Sequence, residues 1–175
     1  MNSSKMNSTL SFVASPPDGF KAKPYVPFLD ANVEFTIWPQ VSPTNPELEA
    51  DCPTPRQLDL ARRVLKWPND LRESIDDAAE QYRSDVDDSI DLALYELGHI
   101  NRQNIRDHYR VYGIAIPSFE KIDEACDYVW LLCSCDWEDE HGMECIFRDR
   151  EIIFCGESDC LFQAPHFREW THVNW

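Results

Sequence analysis

The period of the hydrophobic pattern changes near residue 111 of this 175-residue chain, and this change restricts the fold more than any other feature. Before it, apolar residues recur every three or four positions, as on the buried face of a helix. After it, they alternate with polar residues or form short continuous runs, which is typical of strands. The pattern predicts an α+β fold: an antiparallel sheet, made of a C-terminal meander and an N-terminal strand, with two to three helices packed on one face.

Two helices and a shorter helical piece are predicted between residues 54 and 109. The first begins at Thr54, a suitable N-cap, with Pro55 at the first helical position, where its missing N–H costs nothing. An apolar stripe over residues 71–97 predicts a long second helix, and the shorter piece spans 101–109.

The strands are predicted at 32–38, 111–116, 128–135, 142–148 and 151–155. Asp149 and Arg150 make a tight connection between the last two. Prolines concentrate in residues 16–30 and oppose helix there. We therefore expect residues 1–27 to be a disordered or extended lead-in and residues 28–175 to form a single domain.

The chain is strongly acidic, and the excess lies mainly in its last third. The formal net charge is −16, and residues 111–175 hold 14 acidic and 4 basic side chains. A negative field of this size opposes binding to nucleic acid phosphates and to anionic lipid. We expect no nucleic acid and no membrane as partners, and a basic protein partner that docks against the C-terminal third.

Seven cysteines stand at positions 52, 126, 133, 135, 145, 155 and 160. Their number is odd and most lie inside apolar runs, which indicates reduced thiols and a cytoplasmic protein. No apolar run approaches the roughly 18 to 20 residues that a membrane-spanning helix needs.

The densest group of ionisable residues is Asp136-Trp137-Glu138-Asp139-Glu140-His141-Gly142, predicted as the loop between two strands. Like charges this close repel one another unless a cation or a basic partner offsets them. The segment is therefore the candidate binding site. The alternative is a solvated hairpin loop whose charges keep the edge of the sheet soluble.

A divalent-metal site is a further alternative, and its candidate ligands are Asp136, Glu138, Glu140 and His141. The spacing departs from an EF-hand, because His141 stands where that loop needs glycine. Cys133, Cys135 and Cys145 would add thiolates for zinc, but their spacing differs from the usual zinc knuckles. Small buried thiols are the simpler interpretation, so we expect no cofactor, with zinc or calcium as the alternative.

The segment from Cys135 to Gly142, the strand to Phe147, the Asp149-Arg150 turn and residues 152–159 resemble a widespread bacterial family of uncharacterised domains. In that family a tryptophan and acidic residues lead into Glu-His-Gly, then a hairpin, then a glycine with acidic residues. The order of the earlier strand and helices is similar as well, over most of residues 28–162. The resemblance implies an immunity protein or an accessory protein encoded near polymorphic toxins. The residues that it carries over are Trp137, Glu140, His141, Gly142, Gly156 and Asp159.

Two hypotheses follow for the function. The first is a non-enzymatic protein-binding domain, an immunity-type inhibitor that masks a basic surface of a toxin or nuclease. The chain has no glycine-rich phosphate loop, no G-x-S-x-G and no H-E-x-x-H, which favours binding over catalysis. The second is a divalent-metal-binding domain or a metal-dependent enzyme that uses the acidic and histidine loop at 136–141. The expected binding residues are Trp137, Glu138, Asp139, Glu140, His141, Gly142 and Asp159.

Overall fold

The structure, a computed structural model, describes residues 10–15, 19–38, 52–87, 100–117 and 126–157. The helices are α1 (Pro55–Val64) and α2 (Leu71–Asp87). The strands are β1 (Val13–Ala14), β2 (Phe20–Ala22), β3 (Tyr25–Val26), β4 (Ala31–Asn32), β5 (Glu34–Ile37), β6 (Tyr109–Ile116), β7 (Tyr128–Cys135), β8 (Glu138–Arg148) and β9 (Glu151–Glu157).

Seven strands form one sheet in the order β1-β2-β5-β6-β7-β8-β9, and β3 pairs with β4 separately. Every neighbouring pair in the large sheet is antiparallel except β5 and β6, which run parallel. The antiparallel-dominated sheet and its two helices confirm the coarse α+β prediction. The parallel pair was not predicted. Its physical basis is the long connection from β5 to β6, which contains both helices and allows the chain to return in the same direction.

Helix α1 begins where the capping signals predict. The Thr54 hydroxyl accepts a hydrogen bond from the Gln57 backbone N–H at 3.2 Å, and the Gln57 side chain accepts one from the Thr54 N–H at 3.0 Å. The Gln57 amide also donates to the carbonyl oxygens of Trp38 (2.8 Å) and Pro117 (3.2 Å). These bonds hold the start of α1 against the ends of β5 and β6.

The second helix is described from Leu71 to Asp87, and the rest of the stripe predicted up to residue 97 lies outside the described residues. The helical piece predicted over 101–109 is only a 3₁₀ turn, Ile105–Asp107, followed directly by β6. The prediction was wrong there because asparagine side chains bind the local backbone. The Asn104 side chain accepts a hydrogen bond from the Asn101 N–H at 2.7 Å, which favours a turn over a helix.

A buried carboxylate attaches α2 to the start of β6. The Asp76 side chain is 1% exposed and accepts hydrogen bonds from the Tyr109 hydroxyl, at 2.6 Å, and from the Arg106 guanidinium. Arg72 and Arg102 each place a guanidinium nitrogen 3.6 Å from an Asp76 carboxylate oxygen. Burial and the hydrogen bond to Asp76 raise the pKa of Tyr109. Because a buried charge needs such partners, the cluster fixes the helix relative to the sheet.

The main core lies between the helices and one face of the sheet. Apolar side chains of α1 and α2 pack there with alternate residues of β7 and β8, such as Leu131 and Phe147. A smaller cluster on the other face contains Ala115, Tyr128, Trp130 and Ile146. Since both faces of β7 are buried, its continuous apolar run predicted the strand with the bounds observed.

Residues assigned to the lead-in contribute strands to the sheet. Strand β2 pairs with β5, and its Phe20 is buried in the main core. The sheet therefore extends across the boundary drawn at residue 27. Among the described residues, no helix combines the length and the hydropathy that crossing a bilayer requires.

Candidate functional site

The segment predicted as a loop at 136–142 is mostly strand. Only Asp136 and Trp137 form the turn, because Glu138 already begins β8 and lies opposite Cys135. The register shifts between the Cys135–Glu138 and Cys133–Met143 pairs, so residues 139–142 of β8 stand opposite the single residue Ser134 of β7 and form a bulge in β8 next to the turn. Asp136 is therefore carried by the turn, Glu138 by a paired position of β8, and Glu140 by the bulged part of that strand.

Gly142 makes this pairing possible. Its φ is +75°, and a Cβ built on it would lie 2.4 Å from the carbonyl oxygen of Cys133. A side chain is therefore excluded both by the left-handed backbone and by the close approach of β7. The glycine of the Glu-His-Gly sequence has a structural explanation in this contact.

His141 links two carboxylates from neighbouring strands. Its Nδ1 lies 2.9 Å from Oε1 of Glu157 and 3.4 Å from Oε1 of Glu138. The His141 backbone N–H also faces Oε1 of Glu138, at 3.3 Å. Because a carboxylate only accepts hydrogen bonds when ionised, Nδ1 carries a proton and donates it. The end of β9 is thereby attached to the start of β8.

A second histidine–carboxylate pair lies at the turn between β7 and β8. Nδ1 of His108 is 2.9 Å from Oδ2 of Asp136, and the Asp136 backbone N–H donates to the His108 carbonyl oxygen at 2.9 Å. The turn between β7 and β8 is therefore held against the residue that precedes β6.

Helix α2 reaches the same end of the sheet through Tyr82. Its ring packs edge to face against Trp137, with centroids 6.5 Å apart, and Trp137 is only 4% exposed. Burial, and to a smaller extent the charges of Glu138 and Glu157, raise the pKa of the Tyr82 hydroxyl. Tyr82 therefore stays protonated at neutral pH.

We call the carboxylates at this end of the sheet the acidic rim. Its members are Asp136, Glu138, Glu140 and Glu157. Trp137 and Gly142, both expected among the binding residues, are buried instead and support the backbone. Asp139 lies in β8, where it follows Glu138 in the chain. Asp159 lies outside the described residues.

Sequence reasoning missed three residues of the site, which are Glu157, His108 and Tyr82. The hairpin register did contain a signal for Glu157. A regular hairpin with its turn at Asp149-Arg150 would place Glu157 opposite residue 142, and the register shift between Ile146 and Phe147 moves its partner to Met143. The sequence around His108 and Tyr82 contains no signal for the site. Tyr82 lies in α2 and His108 follows the 3₁₀ turn, so both are distant in sequence from the residues that they contact at the site.

Other carboxylates of the last third do not join the rim. Asp127 lies at the opposite end of β7 and pairs with Arg63 and Arg56 of α1. Glu144 lies within β8 and is 1% exposed. The expectation that this whole third displays its acidic surplus is therefore not met at Asp127 and Glu144, whereas Glu151 is exposed at the opposite end of β8 from the rim.

Three of the four residues proposed as metal ligands belong to two separate histidine–carboxylate pairs, and the fourth, Glu140, is exposed. Asp136 is engaged by His108, while Glu138 is engaged by His141. Within the part of the chain that the structure describes, no group of three or more His, Cys, Asp or Glu side chains is arranged to hold a metal ion.

Fold and site together define an α+β domain with a histidine-bridged acidic rim at one end of its sheet. The family model of DUF6985, a domain of unknown function, matches residues 10–162. This chain belongs to that family. No curated protein and no solved structure matches it.

Proposed function

We propose that this domain is a non-enzymatic protein-binding module, of the immunity-type inhibitor kind, whose acidic rim docks against a basic surface of a partner protein. The proposal rests on a difference between the ion pairs at the two ends of the sheet. Three of the four rim carboxylates pair with His108 or His141, whereas Asp127 at the other end pairs with two arginines.

This difference leaves the rim negatively charged. A histidine contributes at most one positive charge, and only when protonated, whereas arginine is always charged. Even with both imidazoles protonated, four carboxylates would leave a charge of about −2 at the rim. A field of this sign attracts cationic side chains, raises the association rate and selects against acidic partners.

The rim is also preorganised. Glu138 projects from a paired position of β8 and Glu140 from the bulge that follows it, Asp136 from a two-residue turn, and Glu157 from the end of β9. Trp137, which shares the turn with Asp136, packs against Tyr82 of α2. A partner would therefore bind without the cost of ordering a loop, which supports recognition of a protein surface at this place.

The test compares two variants that each remove two carboxylates. Glu140→Gln with Glu157→Gln neutralises half of the rim, and the control, Asp70→Asn with Glu151→Gln, removes two exposed charges elsewhere. Immobilised wild type and variants are exposed to a lysate of the native host, and retained proteins are identified at low and at moderate salt.

We expect the wild type and the control to retain a basic protein, with less retained at moderate salt, and the rim variant to lose it. Retention of the same proteins by the rim variant, or retention that is indifferent to salt, would contradict the proposed function.

A further inference from the structure

Three thiols line up across adjacent strands on the helix-facing side of the sheet. They belong to Cys133 of β7, Cys145 of β8 and Cys155 of β9. Cys145 lies directly opposite Cys155 in the β8–β9 ladder, and their Sγ atoms are 3.3 Å apart. Cys145 is fully buried, whereas Cys155 is only partly buried.

We propose that Cys145 and Cys155 are an oxidation site that closes to a cross-strand disulfide. Directly opposed residues of antiparallel strands have Cα atoms about 4.5 to 5.5 Å apart. This lies within the range of about 4.4 to 6.8 Å that disulfides span. From 3.3 Å, the two sulfur atoms need to approach by only about 1.3 Å to reach bonding distance. The backbone is therefore already in place.

The geometry also selects this pair over the neighbouring one. The Cys133 and Cys145 thiols are also in contact, but Cys133 faces Met143 in the β7–β8 ladder, so its backbone is diagonal to that of Cys145 and not opposite to it. Diagonal neighbours in antiparallel strands are about 7 to 8 Å apart, at or beyond what a disulfide spans without backbone movement. The bond is therefore expected between β8 and β9 and not between β7 and β8.

The oxidant is a peroxide, with hydrogen peroxide as the simplest. The partly exposed Cys155 sulfur attacks one peroxide oxygen, which gives a sulfenic acid and one water molecule. The Cys145 sulfur then attacks the Cys155 sulfur and displaces hydroxide, which takes the Cys145 proton and leaves as a second water. Two thiols lose two electrons and two protons in total, and the peroxide accepts them.

The surroundings of the pair make the reaction slow. Contacts with neighbouring thiols, together with burial, raise the pKa of both Cys145 and Cys155. Because the thiolate is the reactive form, the pair stays reduced under brief exposure and closes under sustained oxidation. The bond would join β8 to β9 two residues before Glu157. The proposal stands whether or not the rim binds a protein.

The sequence allows a direct test with a protease that cleaves after glutamate. Cleavage after Glu144, Glu151 and Glu157 releases Cys145 in the peptide 145–151 and Cys155 in the peptide 152–157, each with a single cysteine. The reduced full-length protein is treated with hydrogen peroxide for increasing times, blocked with an alkylating reagent, digested and analysed by mass spectrometry.

The expected product is the two peptides joined, with a mass about 2 Da below their sum, and it disappears on reduction. A first disulfide that includes Cys133 would overturn the proposal. So would a native protein in which Cys155 is oxidised to the sulfinic acid while Cys145 remains an alkylatable thiol.

Two variants separate the bond from general oxidation. Cys155→Ala is expected to lose the linked species, whereas the matched Cys133→Ala keeps it. Oxidation should also raise the melting temperature of the wild type and of Cys133→Ala, but not that of Cys155→Ala. An equal rise in all three would overturn the proposal, and the wild-type peptide map decides even where a variant fails to fold.

Discussion

Replacing Gly142 by alanine perturbs the one backbone position on which the rim depends. The new Cβ would lie 2.4 Å from the Cys133 carbonyl oxygen, at a residue whose φ is +75°. The left-handed conformation costs an alanine about 1 to 2 kcal/mol. Moving two paired strands apart adds about 1 to 3 kcal/mol, as overpacking does elsewhere. The stiffer unfolded chain returns only about 0.4 to 1 kcal/mol, so a net loss of about 1 to 5 kcal/mol is expected.

Gly113→Ala is the matched control, because Gly113 also lies in a central strand. Its Cβ would meet the Cδ1 atom of Leu132 at 3.2 Å, and a leucine side chain can adjust where a carbonyl group cannot. We expect this variant to stay within about 1 kcal/mol of the wild type.

Urea unfolding followed by tryptophan fluorescence measures both variants, since Trp137 and Trp130 are buried. If Gly142→Ala unfolds at the same urea concentration as Gly113→Ala, the explanation of the Glu-His-Gly glycine fails. The close approach of the β8 bulge to β7 would then not restrict the residue at this position.

Three further changes test other parts of the fold. Arg150→Gly should stabilise the protein by about 1 kcal/mol in urea unfolding, because Arg150 has a φ of +82° in the β8–β9 turn. Asp76→Asn should cost roughly 2 kcal/mol, less than for a fully buried pair because Arg106 reaches solvent, while the exposed Asp77→Asn should cost little. Burial raises the pKa of Cys135 from 9.0 to about 12, so its folded state keeps a proton that the unfolded chain releases. Stability should therefore fall between pH 9 and about pH 12 by up to about 1.4 kcal/mol per pH unit, and less steeply in Cys135→Ala.

Each of these changes has an outcome that would contradict its reasoning. A destabilised Arg150→Gly would mean that the turn gains more from its side chain than it loses to backbone strain. Equal losses for Asp76→Asn and Asp77→Asn would remove the distinction between the buried and the exposed carboxylate. An identical alkaline slope for wild type and Cys135→Ala would show that other groups determine the decline.

Local signals in the sequence were sufficient for part of the fold. The Thr54-Pro55 pair fixed the start of α1 through a capping box and a proline at the first position. The continuous apolar run from Tyr128 to Cys135 indicated a strand buried on both faces, and the structure has it there. In each case the residues that determine the element lie within it or beside it.

Elements that depend on distant contacts could not be read in this way. Strand β8 begins at Glu138, among acidic residues that have low strand propensity, and it is held by the pairing of Glu138 with Cys135 and by the contact at Gly142. The parallel pairing of β5 with β6 joins segments separated by both helices. Tyr82 and His108 also reach the rim through contacts with residues that are distant in the sequence, and the residues next to them give no sign of these contacts.

The segment from Trp137 to Gly142 therefore combines two roles: some of its residues fix the backbone, and others present negative charge. Trp137 and Gly142 fix the backbone, since one is buried against Tyr82 and the other has no room for a side chain. Glu140 and Glu157 present charge at an end of the sheet that this backbone defines. A loss of binding after substitution of Trp137 would consequently report a distorted rim and not a lost contact. Only substitutions of the rim carboxylates, made in a protein whose stability is unchanged, distinguish recognition by charge from the requirement for a folded edge.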